Sequence, residues 1–253
     1  MTIDSHAHLE MEAFDRDRDA VLGRAAAAGV TAIITVGTTI PDCGKALELA
    51  QRNPMVYAAV GVHPHEAQGV DAGTYGALRV LAQHQKVVAI GEIGLDFFYE
   101  HSPREVQLRR FEEQLDLALE LNLPVIIHDR EAHAETLRIL RKRKGGLRGV
   151  LHCFSGDMAM ARECLDLEFY ISVAGPVTYR KSERLRAVAH EIPVERLLVE
   201  TDAPYLSPQP WRGKRNEPAY VVETARCLAE IRGMPAGEME RLTEENTRRL
   251  FNL

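Results

Sequence analysis

Short runs rich in β-branched residues alternate with longer amphipathic stretches from one end of this chain to the other, and this alternation constrains the fold more than any other feature. The runs are Thr2–His6, Ala32–Val36, Val56–Val60, Val87–Glu92, Val125–His128, Gly149–Cys153, Phe169–Val173 and Leu197–Glu200. Each is short, apolar and of strand length. Between and after them lie helical patterns: Arg16–Ala28 closing on Gly29, Cys43–Gln51, Tyr75–His84, Pro103–Leu121, Glu131–Lys144, Met158–Leu165, Glu183–His190 and Glu217–Arg232. The clearest is Pro103–Leu121. Ser102 reads as its N-cap, Pro103 suits the first helical position, and Phe111, Leu115, Ala118 and Leu119 recur at helical spacing. Glu238–Leu253 reads as one more helix packed at the end. Strands separated by helices imply a parallel sheet. Eight such units in 253 residues predict a (β/α)8 barrel of the TIM type, α/β in class, occupying residues 1–253 as a single domain. An open doubly wound sheet is the alternative, but the glycine-rich turn such sheets carry after the first strand is replaced here by His6-Ala7-His8.

Polar residues gather at the C-terminal ends of the predicted strands. They are His6 and His8 after the first, His63 and His65 after the third, Glu92 through Asp96 after the fourth, His128-Asp129-Arg130 after the fifth, His152 after the sixth, and Glu200 and Asp202 after the eighth. In a barrel these ends share one face, where active sites of this fold sit. Six of the 10 histidines fall there. Any one of them is readable as an ordinary satisfied histidine. Together with Glu92 and Asp202 they predict a metal centre. His6 and His8 stand two apart, so on a strand both imidazoles face one space. Histidine and carboxylate without thiolate suit zinc, manganese, nickel, iron or magnesium. Four histidines and two carboxylates exceed what one ion needs, so the expectation is two divalent cations with Glu92 as the bridge. Asp202 is expected both to ligate and to take a proton from water.

Loop residues suggest substrate contacts. Arg130 follows His128 and is of the right type for a phosphate oxygen or a rim salt bridge. The loop Trp211-Arg212-Gly213-Lys214-Arg215-Asn216 is basic and follows the last strand, a common phosphate position in barrels. Trp211 stacks a base there or packs the loop down. Cys153, next to His152, should point away into the core, and Glu200 should share the inward direction of Asp202. The run Arg141-Lys142-Arg143-Lys144 before Gly145-Gly146 reads as a charged last helical turn ended by glycine, with a nucleic-acid patch as the alternative.

A formal net charge of -6 excludes a protein that coats nucleic acid by global electrostatics, though not a cleft made locally positive by cations. Four scattered cysteines, no Cys-x-x-Cys pair and no leader-like start predict a reducing, cytoplasmic location.

His6-Ala7-His8-Leu9, Gly61-Val62-His63-Pro64-His65, Gly91-Glu92-Ile93-Gly94-Leu95-Asp96, His128-Asp129-Arg130-Glu131-Ala132, His152-Cys153-Phe154-Ser155-Gly156 and Glu200-Thr201-Asp202-Ala203-Pro204-Tyr205-Leu206 resemble the signature blocks of the TatD family of metal-dependent hydrolases. The basic loop Arg212–Pro218 is similar to that family's as well. Asp129 stands where many relatives have a small residue. The resemblance implies a distorted barrel of the amidohydrolase type. It implies one metal on His6, His8, Glu92 and Asp202, and a second on Glu92, His128 and His152. It further implies hydrolysis of DNA, in some members as 3′ exonucleases on single strands, with magnesium or manganese. The expected function is therefore a metal-dependent deoxyribonuclease. His63 would contact the scissile phosphate, and Arg130, Arg212, Lys214 and Arg215 would contact the substrate, nucleic acid. Hydrolysis of an amide or ester in a small molecule is the alternative, since the same centre polarises a carbonyl. A scaffold with structural metals is the reading from another class, and it fits poorly because structural zinc shells are closed and rich in cysteine.

Overall fold

The computed structural model describes all 253 residues. Eight strands form one parallel sheet in sequence order: β1 (Thr2–Ala7), β2 (Val30–Val36), β3 (Val56–Val60), β4 (Val87–Asp96), β5 (Val125–Arg130), β6 (Gly149–Leu151), β7 (Tyr170–Val173) and β8 (Leu197–Val199). The helices are α1 (Arg18–Ala27), α2 (Ile40–Arg52), α3 (Ala72–Ala82), α4 (Arg104–Leu121), α5 (His133–Arg141), α6 (Met158–Asp166), α7 (Glu183–Glu191), α8 (Val221–Arg232) and α9 (Ala236–Phe251). This is the expected (β/α)8 barrel. No helix is long and apolar enough to cross a membrane.

The barrel is nearly closed. Between β1 and β8 the regular ladder is replaced by a seam of side chains and one bridge. Ala7 pairs with Ala203, the His8 amide donates to the Ala203 carbonyl (2.7 Å), and the Ser5 hydroxyl donates to the Val199 carbonyl (2.9 Å). Asp4, fully buried, accepts from the Thr201 amide (2.8 Å) and hydroxyl (2.6 Å). Burial pushes its carboxyl up to about 8, against the pull of those hydrogen bonds. The seam thus ties the segment carrying Asp202 to the strand carrying His6.

Strand alternation sorts the side chains into two cores. Outward residues such as Ile33, Val60, Ile93, Ile127, Leu151 and Val199 join the large cluster under the helices. Inward residues Ile34, Ala59, Val88, Ile126, Val150, Tyr170 and Leu198 form a smaller cluster, into which α9 inserts Leu250 and Phe251. One inward step further along β5, β6 and β8 lie His128, His152 and Glu200. The same two-residue period that fills the barrel with apolar side chains therefore puts polar ones at its mouth.

Local differences from the expected elements have physical causes. β4 runs on to Asp96 rather than stopping at Glu92, and its register with β5 shifts between Ile90 and Ile93. Ile90 and Ile93 both face outward, so the extra residue re-aims the strand around Glu92. Gly94 (φ +145°) permits the close approach that follows, since a Cβ there would lie 2.0 Å from the His128 carbonyl oxygen. Ser102 does not cap α4. Pro103 occupies that position, while the Ser102 hydroxyl donates to the His65 carbonyl (2.7 Å) and accepts from the Gln68 amide (3.0 Å). Phe111, Leu115 and Ala118 are buried as expected, but Leu119 is exposed. α5 ends at Arg141 with Lys142 as its C-cap, three residues short of the expected end, so most of the basic run lies in the turn that follows: Lys142 pairs with Glu112 (3.1 Å) and Arg143 with Asp116 (2.8 Å) on α4, and Gly145 (φ +81°) sits within that turn rather than ending the helix.

Candidate metal centre

Seven of the predicted site residues converge inside the mouth of the barrel. His6 and His8 turn their Nε2 atoms to within 3.2 Å of each other. The Oε2 atom of Glu92 lies 3.4 Å from His6 Nε2 and 3.7 Å from His8 Nε2, and Asp202 Oδ1 lies 3.8 Å and 3.5 Å from the same two nitrogens. Donor atoms about 2.1 Å from a tetrahedral ion stand about 3.4 Å apart, so this spacing fits one ion. The other carboxylate oxygen of Glu92, Oε1, is 2.7 Å from both His128 Nδ1 and His152 Nε2, which are 3.3 Å from each other. His63 Nε2 lies 3.5 Å from that same oxygen. His6–His8–Glu92, His6–His152–Asp202 and His63–Glu92–His128 are each compact enough to surround an ion.

The far nitrogen of three rings is held by a fixed acceptor. His8 Nδ1 is 2.8 Å from the Val36 carbonyl and 3.4 Å from Glu10, which is itself anchored by the Thr35 hydroxyl (2.7 Å). His128 Nε2 is 3.1 Å from Asp96 Oδ2, and His152 Nδ1 is 3.3 Å from Glu200 Oε1. Each acceptor fixes a proton on the outer nitrogen, so that the inner one is the nitrogen that would offer its lone pair once any proton it carries is given up, as metal-ligating histidine requires. His63 is arranged the other way. Its Nδ1 accepts from the His65 amide (3.1 Å), so in the neutral ring Nε2 carries the proton and points inward.

The charges are strongly coupled. Burial lowers His8, but the carboxylates of Asp202 and Glu10 outweigh it and hold the ring well above the usual histidine range. Burial likewise opposes the charge on His152, and Glu92 and Glu200 raise it well above that range regardless. Burial pushes His6 down, with His152 adding repulsion. It takes His63 down to about 4. Burial also opposes the charge on Glu92 and Asp202; the surrounding imidazoles prevail, and both carboxyls stay below their usual range.

The expected substrate residues are placed unevenly. Arg130 is exposed at the mouth, its guanidinium 4.3 Å from the Phe98 ring centre and 4.6 Å from that of Tyr99. Arg212 is exposed over the Tyr179 ring (4.4 Å), and Lys214 is exposed on the same loop. Arg215 departs from expectation. It donates to both oxygens of Asp17 (2.8 Å each) and to the Ala13 carbonyl (2.6 Å), so the loop spends this cation on anchoring itself. Trp211 stacks on Tyr220 (4.1 Å, 10°) and packs the loop down. Cys153 is also corrected. It sits at φ +42°, past the end of β6, where strand alternation no longer applies. It is half-buried and lines a cavity of about 270 Å³ with Phe154, Ala174, Pro176 and Leu185 rather than the core. Burial, with the carboxylates of Asp202 and Glu200 nearby, raises its thiol well above the usual range.

Sequence reasoning missed Asp96 and Glu10 as partners of the histidines. For Asp96 the signal was present: with Glu92 and Gly94 it continues the inward period of β4, once the strand is allowed to run to its true end. Glu200 does face inward, as expected, and its Oε1 also accepts from the Cys153 amide (2.6 Å).

Comparison with known proteins gives the same answer from a different direction. A family model described as TatD related DNase matches residues 3–252. The "Uncharacterized metal-dependent hydrolase YabD" of Bacillus subtilis is 42% identical over 254 residues, spanning 100% of both chains. The "3'-5' ssDNA/RNA exonuclease TatD" of Erwinia tasmaniensis is 40% identical over 257 residues, spanning 99% of each. The crystal structure of the TatD homologue YjjV from Escherichia coli K12 superposes with a TM-score of 0.94 at 35% identity, covering 100% of this chain and 98% of that one. With its barrel, its histidine–carboxylate cluster and a match over nearly its full length, the chain belongs to the TatD-related DNase family of metal-dependent hydrolases.

Proposed function

We propose that residues 1–253 act as one catalytic unit, a two-metal deoxyribonuclease that removes nucleotides from the 3′ end of single-stranded DNA. The observation that carries this reading is the division of Glu92: one oxygen faces His6, His8 and Asp202, the other faces His128 and His152. His6, His8, Glu92 and Asp202 would hold one divalent cation, magnesium, manganese or zinc. Glu92, His128 and His152 would hold the second. A cation pair there would lower the pKa of a water molecule and neutralise charge on the phosphoryl oxygens.

The remaining work falls to the protein. Asp202 is the least enclosed of the carboxylates in the cluster, with its side chain 13% exposed. It stays ionised through neutral pH and takes the proton of the water that attacks phosphorus as the bond to the leaving oxygen breaks. His63, neutral above about pH 4, points its Nε2–H inward and would donate to a non-bridging phosphate oxygen. Arg130, Arg212 and Lys214 supply exposed cations along the approach, and the exonuclease activity for which the Erwinia relative is named supports nucleic acid as the substrate. The test is a 5′-labelled single-stranded oligonucleotide incubated with magnesium or manganese. A ladder shortening from the 3′ end is expected. The variant Asp202→Asn should lower kcat by about 10²–10⁴-fold. No cleavage by the wild type, or full cleavage by the variant, refutes the reading.

A further inference from the structure

Beside the metal centre the barrel mouth carries a pair of aromatic rings that the proposed chemistry does not use. Phe98 and Tyr99 are 57% and 51% exposed, large aromatic surfaces facing solvent. Their rings stand edge to face, 4.8 Å apart, with the Arg130 guanidinium lying over both. His101 lies parallel to Tyr99 (5.6 Å, 5°) on the same rim.

The cluster is rigidly tied to the metal centre. The Phe97 amide donates to the Arg130 carbonyl (2.9 Å), which extends the β4–β5 ladder up to the rings. Asp96 Oδ1 accepts from the amides of Phe98 (3.0 Å) and Tyr99 (2.9 Å), while its Oδ2 accepts from His128. One buried carboxylate thus positions a proposed metal ligand with one oxygen and the aromatic turn with the other. Trp211, the other candidate for stacking, is used up on Tyr220.

We infer that Phe98, backed by Arg130 and Tyr99, is a stacking platform for a nucleobase flanking the scissile phosphodiester. The inference rests on the nucleic-acid reading above and adds what it lacks, a contact to a base. Aromatic faces and guanidinium planes bind bases of any sequence, so the platform would grip a single strand without reading it. A duplex keeps its bases stacked on one another and has none to offer.

The test walks one abasic residue along a single-stranded oligonucleotide, reading KM from cleavage and affinity from fluorescence anisotropy in parallel. In the wild type, one abasic position should raise KM by about tenfold, within the range of single stacking contacts. Phe98→Ala should erase that positional penalty, and Phe98→Trp should keep it. Phe98 is largely exposed, so the alanine variant is expected to fold. A flat walk in the wild type, or a penalty of the same size in Phe98→Ala, overturns the platform while leaving the nuclease reading in place. Binding with the expected walk but no cleavage overturns the nuclease reading and leaves the platform. Neither binding nor cleavage overturns both.

Discussion

The replacement Asp96→Asn tests how the barrel prepares an imidazole for metal. Asp96 is fully buried, and its Oδ2 accepts from His128 Nε2 (3.1 Å) and from His65 Nε2 (2.9 Å). Burial disfavours its charge, yet the hydrogen bonds from His128, the Tyr99 amide and His65 hold the carboxyl below its usual range. Asparagine can keep its oxygen on the Phe98 and Tyr99 amides, which preserves the turn. Its NH2 then faces His128 Nε2, two donors meet, and the proton of the ring is driven to Nδ1. That is the atom 2.7 Å from Glu92 and aimed at the centre. The loss of a hydrogen bond to a charged acceptor is worth about 1.5–3 kcal/mol. At about 1.4 kcal/mol per factor of ten, metal affinity at the His128 side should fall about 10–100-fold, in line with losses on removing partners of metal-bound histidine. Calorimetric titration of metal into metal-free protein measures it directly: binding that involves His128 should weaken, with the thermal melt of the metal-free protein little changed. His65→Gln, which leaves the Asp96–His128 pair in place, should weaken binding far less. Equal affinities in Asp96→Asn and wild type would refute the argument, and equal losses in the two variants would show that Asp96 acts through the turn instead.

Three further outcomes follow from the geometry. Metal binding near neutral pH should release protons, because His8 and His152 are held protonated by their carboxylate neighbours and must give up a proton to ligate; affinity then falls as pH falls, and titrations in buffers of different ionisation enthalpy that show no release or net uptake would contradict the assignment. Trp211→Ala removes the stack on Tyr220 and should cost about 0.5–1.5 kcal/mol of stability in urea unfolding, with no abasic-position effect of its own. Phe251→Ala empties the base of the barrel, where the ring packs at 3% exposure against inward strand residues, and should cost about 3–5 kcal/mol in the same assay; a loss below about 1 kcal/mol would mean that α9 is not a plug.

Much of this molecule was legible without coordinates because the relevant patterns are short. A two-residue period is a property of one strand, so His6 and His8 announce a shared face, and Ile126 followed by His128 announces which residue rises to the mouth. The places where reading failed are those where distant segments compete for one group. Arg215 is a free cation in sequence, but Asp17 on the loop before α1 claims it. Ser102 looks like a helix cap, but the turn over Pro64–Gly69 takes its hydroxyl. Cys153 was sent to the core by extending alternation one residue beyond a strand that had ended.

The chain's own pattern determined that eight strands would line a barrel and that histidines and acids would crown it, since hydrophobic periodicity is local and needs no partner to be read. Tertiary structure alone decided which acceptor holds the outer nitrogen of each imidazole, how the irregular register of β4 turns Glu92 so that its two oxygens serve two sides, and which cations remain free for a substrate. Those outcomes depend on pairings between residues tens of positions apart, where hydrogen bonds in a dry interior are settled by ångström-scale placement that no spacing along one strand encodes.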